Sequence, residues 1–282
     1  MFMKLQLWLP VLAVGAALLS PPATHADTAP SPVQTELRAL YKSVQTKVAA
    51  GKKTEADLAD DLKQFDVLLA KENGAKTDES AEIVYSKAQL YLEILDNLDQ
   101  GMAVIRQIKT DYPDTKVGKQ ADRILQSLEQ QATAKKIQDG LAPGTVFPDF
   151  AEKDLNGQPL SVGKFKGKVV VVDFWATWCG PCRAELPNLI EIYKKHHAEG
   201  LEVIGISLDS DREKLDSFLK KQDGMDWPEY FDGEGWSSKL ATKYGVEFIP
   251  FSVLIGPDGK IIAKNLRGAE LGQAVAEALG KK

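Results

Sequence analysis

The chain has 282 residues, with 35 basic and 40 acidic side chains and a formal net charge of −5 at pH 7. That length suits two domains of ordinary size. The acidic balance and the mixing of charge signs exclude the basic footprint that nucleic-acid binding needs.

Met1–Lys4 is a short basic start, Leu5–Leu19 is largely apolar, and Ser20–Ala26 ends in a small residue. This pattern predicts a secretory signal peptide over 1–26, cleaved after Ala26. The apolar run falls short of the ~20 residues that span a bilayer, and an uncleaved N-terminal anchor is the alternative. No cysteine follows the run, which excludes a lipoprotein anchor. An exported chain is expected in the periplasm of a Gram-negative bacterium, an oxidising compartment.

From 32 to 138 the spacing predicts helices throughout. Val33, Leu37, Leu40, Tyr41, Val44 and Val48 form one apolar stripe, ended by Gly51. Thr54 is placed as the cap of a second helix carrying Leu58, Leu62, Phe65 and Leu69. A third is expected over 78–97, a fourth over 99–111, and a fifth behind Thr115. Residues 81–115 resemble one tetratricopeptide unit; a plain helical bundle is the other reading, since such repeats need about three copies to bury a core. This domain holds no chemical motif, so docking or self-association is expected of it. Residues 139–146 read as a linker. Beyond them strands and helices alternate, which predicts a mixed sheet with helices on both faces over 142–282.

Cys179 and Cys182 are the chain's only 2 cysteines. A bridge closed over two residues constrains the unfolded chain little, so the pair is expected to do chemistry rather than to staple the fold. Lys168–Trp175 is a buried-strand pattern, and Leu186, Leu189, Ile190 and Tyr193 mark a helix after the cysteines. Cys179 then stands at a helix N-terminus, where free N–H groups and the dipole favour a thiolate, and Cys182 follows inside the first turn. Pro181 is harmless there because its missing N–H has no partner. The expected result is one exposed sulfur, Cys179, with Cys182 shielded behind it. Zinc is not expected. Beyond the two cysteines only His25, His196 and His197 are available; His196 and His197 point about 100° apart on a helix, as surface residues.

Asp173–Phe–Trp–Ala–Thr–Trp–Cys–Gly–Pro–Cys182 resembles the active-site segment of the thioredoxin superfamily, and Cys182–Arg–Ala–Glu185–Leu–Pro187 resembles its TlpA/ResA-like branch of extracytoplasmic thiol–disulfide oxidoreductases. Gly144–Phe150, Asp154–Gly157, Phe165–Lys168, Gly205–Asp209, Tyr244–Val246, Ile249–Pro250 and Pro257–Lys260 fit the same branch. The resemblance implies a thioredoxin-like fold, no cofactor beyond the redox disulfide, clients that carry disulfides, and a membrane electron donor. Cytochrome c assembly is one candidate pathway.

Cys179 is assigned as the nucleophile and Cys182 as the resolving thiol. Asp173, in an apolar strand, is expected to have a raised pKa and to accept the proton of Cys182. Glu185, one turn past Cys182, matches a glutamate found near the site in this branch. Trp178, Gly180, Pro181, Ile249 and Pro250 form the expected substrate surface, with Pro250 at the family's cis-proline and Phe251 in place of the usual threonine. Trp175 is read as packing. The Gly–Pro dipeptide favours a reducing potential, near about −270 mV. An oxidase or isomerase remains open, as does a Cu(I)-binding chaperone. A peroxidase does not, because Val172–Cys179 lacks Pro-x-x-x-Thr-x-x-Cys.

Overall fold

A computed structural model describes residues 30–280. The expected signal segment, 1–26, lies outside the described residues. The described residues divide into two compact units, 30–130 and 131–280.

In the first unit the helices are α1 (Pro32–Ala49), α2 (Ala59–Lys71), α3 (Asp78–Gln89), α4 (Leu98–Asp111) and α5 (Ala121–Gly140), the last running past the division. Ser31 caps α1 by a reciprocal capping box with Gln34. Two cores flank α3. Ile83 joins Leu40, Val44, Leu62 and Phe65 of α1 and α2, whereas Ala81, Val84 and Ala88 meet Ile105, Ile108 and Leu125 of α4 and α5. The helices thus pack in series on their neighbours rather than around one shared core.

Three boundaries differ from the sequence expectation. Thr54 caps a turn closed with Asp57, and the helix itself starts at Ala59. Residues Leu90–Ile94 are wound as a π-helix, which ends the expected third helix early. Thr115 accepts the N–H of Gly118 and starts a 3-10 turn, with α5 following from Ala121.

The second unit holds a small hairpin, β1 (Glu152–Lys153) with β2 (Pro159–Leu160), and a five-stranded sheet. In chain order the sheet and its helices are β3 (Val169–Trp175), α6 (Gly180–His196), β4 (Leu201–Ser207), α7 (Arg212–Leu219), β5 (Glu229–Tyr230), α8 (Lys239–Lys243), β6 (Phe251–Ile255), β7 (Ile261–Lys264) and α9 (Gly268–Gly280). The strand order is β5-β4-β3-β6-β7; β3, β4 and β5 run parallel, and β6 is antiparallel to β3 and β7. This is a thioredoxin-like fold. Every residue of β3 and β4 is buried, as strands covered on both faces require.

Residues 139–146 are not a free spacer. Leu141 is in the core, the Gly144 N–H donates to the Ile261 carbonyl, and Val146 bridges to Lys260. Trp236–Tyr244 is not one continuous helix but a 3-10 turn, Gly235–Ser237, followed by α8, because Ser238 is extended at φ −48°, ψ 136°.

Parallel β3, β4 and β5 end at the same sheet edge at which antiparallel β6 begins. The loops after β3, β4 and β5 and the segment before β6 therefore converge there, the usual place for a site in such sheets.

Tyr244 anchors this unit. It is fully buried, stacks on Phe147 at 4.9 Å, meets Phe150 and Phe174 edge-on, and donates its hydroxyl to the Pro148 carbonyl at 2.7 Å. Tyr244→Ala is expected to cost about 3–5 kcal/mol by chemical denaturation, and Tyr244→Phe about 1 kcal/mol.

Candidate active site

Cys179 and Cys182 are joined in a disulfide. Cys179 is the N-cap of α6, with its Sγ accepting the Cys182 N–H at 3.1 Å. Pro181 occupies the first turn without cost. The loop leading to Cys179 is fastened from below. Buried Asp209, just past β4, accepts the backbone N–H of Thr177 at 2.9 Å and its hydroxyl at 2.5 Å, and also the Ser207 hydroxyl.

The expected contrast between an exposed and a shielded sulfur is nearly absent: Cys179 is 6% exposed and Cys182 2%. In the bridged form each sulfur covers the other, and residues around them take the solvent. Trp178 is 54% exposed, and Gly180 and Pro181 are exposed as well. Trp178 lies against Trp236, ring centroids 6.0 Å apart. Trp236 comes from the segment after β5, and no pattern in the sequence marked it.

Asp173 lies on β3 in register with Gly205 of β4 and Ser252 of β6. It is buried, and loss of water pushes its carboxyl up to about 7; Arg267 opposes that rise and Glu185 adds to it. Glu185 is half-buried. Its Oε1 accepts the Asn188 amide and the Gly268 N–H, each at 2.8 Å, which ties α6 to the start of α9. Ile249–Pro250 is a cis peptide directly before β6. Pro187 sits inside α6 and is exposed.

Two charged residues escaped the sequence reading. Arg267, between β7 and α9, donates to the Pro250 carbonyl and to the Ser252 hydroxyl. Glu229 on β5 is buried, accepts the indole N–H of Trp227 at 2.8 Å and of Trp175 at 3.0 Å, and pairs in register with Gly205. Burial pushes it up to about 8 against those two bonds, with Asp173 and Asp209 adding to the rise. A Cβ on Gly205 would strike the Glu229 carboxyl. The signal was present: a glycine inside an apolar strand marks a close approach. Trp175 is thus more than packing, since it donates to Glu229.

His196 is also corrected. It is buried, with its Nδ1 2.6 Å from Glu199, while His197 is exposed and its ring lies against Tyr193. The apolar stripe of α6 turns His196 inward.

A capped helix bearing a disulfide, a buried acid on the preceding strand and a cis-proline at the same sheet edge define a thioredoxin-like oxidoreductase. Residues 142–279 match the Redoxin family model. Thiol-disulfide oxidoreductase ResA of Bacillus thuringiensis subsp. konkukian is 35% identical over 138 residues, spanning 49% of this chain and 77% of that protein. ResA of Bacillus subtilis is 29% identical over 124 residues, 44% of this chain and 67% of that protein. The solved thioredoxin domain of a thiol-disulfide oxidoreductase from Bacteroides vulgatus is 33% identical with a TM-score of 0.45, covering 49% of this chain and 97% of that one. The chain belongs to the ResA-like thiol–disulfide oxidoreductases of the thioredoxin superfamily.

The two raised carboxyls make stability depend on pH. The folded state holds protons that the unfolded chain releases above about pH 4, so stability falls as pH rises towards 7–8. Between pH 5 and 8 Asp173 alone is expected to remove about 2–3 kcal/mol. Denaturant midpoints of the oxidised protein at the two pH values check this, and Asp173→Asn is expected to reduce the difference by about that amount while Glu229 keeps its own share.

Proposed function

We propose that the chain is an exported reductase of protein disulfides, working through Cys179 and Cys182. The carrying observation is the Cys179–Cys182 bridge seated on the N-terminus of α6, at the sheet edge that also holds cis-Pro250. A negative sulfur at Cys179 is favoured there by the helix dipole and by the Cys182 N–H that points at it.

In the reduced enzyme Cys179 attacks a client disulfide. One client sulfur joins Cys179 in a mixed disulfide, and the other leaves as a thiolate that takes up a proton. Cys182 then gives its proton to Asp173 and attacks the Cys179 sulfur. The internal disulfide forms, the second client sulfur departs and is protonated, and two electrons have passed to the client. A carboxyl near 7 suits that role at neutral pH. Glu185, acting on Asp173 through its charge, is the second acid of the site. Trp178, Gly180, Pro181, Ile249 and Pro250 are the surface for an extended client segment.

A dithiol donor must restore the reduced state, and in an oxidising compartment that donor is a membrane protein. The basic and apolar pattern of residues 1–26 supports export to the periplasm. Among the described residues no helix is long and apolar enough to cross a membrane. Cytochrome c assembly is a pathway that consumes such reducing power. The serially packed helical unit serves docking or self-association.

Cys182→Ser, reduced and mixed with a disulfide-bonded peptide, is expected to accumulate a mixed disulfide on Cys179, read by intact mass. Cys179→Ser is expected to give none. Equal trapping by both variants, or by neither, sinks the assignment of nucleophile and resolving thiol.

A further inference from the structure

Arg267 is half-buried in the segment between β7 and α9, and the dithiol chemistry described so far leaves it unused. Its Nη1 donates to the Ser252 hydroxyl at 2.7 Å and to the Leu266 carbonyl at 2.8 Å, while its Nη2 donates to the Pro250 carbonyl at 2.5 Å. Ser252 is the register partner of Asp173 across β6 and β3, so the two side chains lie on one face of the sheet. A guanidinium bonded to Ser252 is thereby held on the side of the sheet where its charge reaches the buried carboxyl.

The segment carrying Arg267 is itself fixed. The next residue, Gly268, donates its N–H to Glu185 at 2.8 Å, and the Asn188 amide reaches both Glu185 and the Gly268 carbonyl. One planar fork thus ties cis-Pro250 and Ser252 of β6 to the segment whose next residue, Gly268, makes the α6–α9 contact. Lysine offers the charge but not the fork.

We propose that Arg267 is a positioning residue of the dithiol reaction, joining the carbonyl of cis-Pro250 to the carboxylate of Asp173. A client segment laid on the 249–250 loop is thereby aligned with the group that takes the proton of Cys182. This inference rests on the reading of Asp173 as that acceptor. The charged groups acting on Asp173 are Arg267 and Glu185 from α6; Glu229 of β5, paired in register with Gly205, in turn feels the charge of Asp173. Arg267 supplies the positive charge that favours the ionised carboxyl.

The test is single-turnover reduction of a disulfide-bonded peptide by the pre-reduced full-length protein, with rate and half-saturation followed against pH. Wild type is expected to show an inflection at about 7, from Asp173. Arg267→Met is expected to move that inflection up by about 1 pH unit, because an opposite charge has been removed. Arg267→Lys is expected to keep the inflection near its wild-type pH. Both variants lose the fork and should raise the half-saturating concentration about 10-fold, the scale of a lost hydrogen bond to a charged group. Asp173→Asn separates the two readings. If it retains the wild-type inflection, the assignment of Asp173 fails and the Arg267 proposal falls with it. If it abolishes the inflection while Arg267→Met and Arg267→Lys both keep wild-type pH profile and half-saturation, the Arg267 proposal alone is overturned.

Discussion

A carboxyl group in the centre of a sheet covered on both faces is the constraint around which this site is organised. Asp173 sits where an isolated charge is costly, and the fold accommodates it in two ways. Its proton is retained to about pH 7, so the group is neutral part of the time. On one side Gly205 leaves space that the Glu229 carboxyl fills, and on the other Ser252 brings the Arg267 guanidinium alongside. The acid is thereby held near neutrality, where it can give or take a proton without a large penalty in either direction.

The second organising feature is the handover from β3 to α6. A strand buried throughout must surface somewhere, and it does so over Ala176–Cys179, with Asp209 holding Thr177 by both its N–H and its hydroxyl. The helix that follows needs a cap for its N–H groups, and sulfur supplies it. Exposed Trp178, Gly180 and Pro181 surround a bridge that is itself almost closed to solvent. Under the proposed reductase function, a client approaches along this rim, and recognition falls to the flanking loops.

Much of this was readable in the chain. The run Val–Val–Val–Val–Asp–Phe–Trp is apolar enough that its one carboxyl has no inexpensive place, which marked Asp173. The cysteine spacing and Pro181 marked the helix start. What escaped depended on long-range pairing. Arg267 bonds acceptors 15 and 17 residues away across two strands, and no period in its own segment betrays that. Glu229 lies on a strand of two residues, too short for any alternation to show. The burial of both cysteines arises from the bridge and its surrounding loops, not from local pattern. Helix starts slipped behind Thr54 and Thr115 because both threonines cap preliminary turns, which satisfy the same N–H groups as a helix cap would.

The direction of electron flow is the central claim, and the reduction potential of the Cys179–Cys182 pair tests it most directly. Equilibration of the full-length protein in thiol buffers, read by alkylation and mass, is expected to give a value near that of thioredoxin, about −270 mV. A value near about −120 mV would mean that the bridge is given away rather than formed at the client's expense, and the reductase account would be wrong.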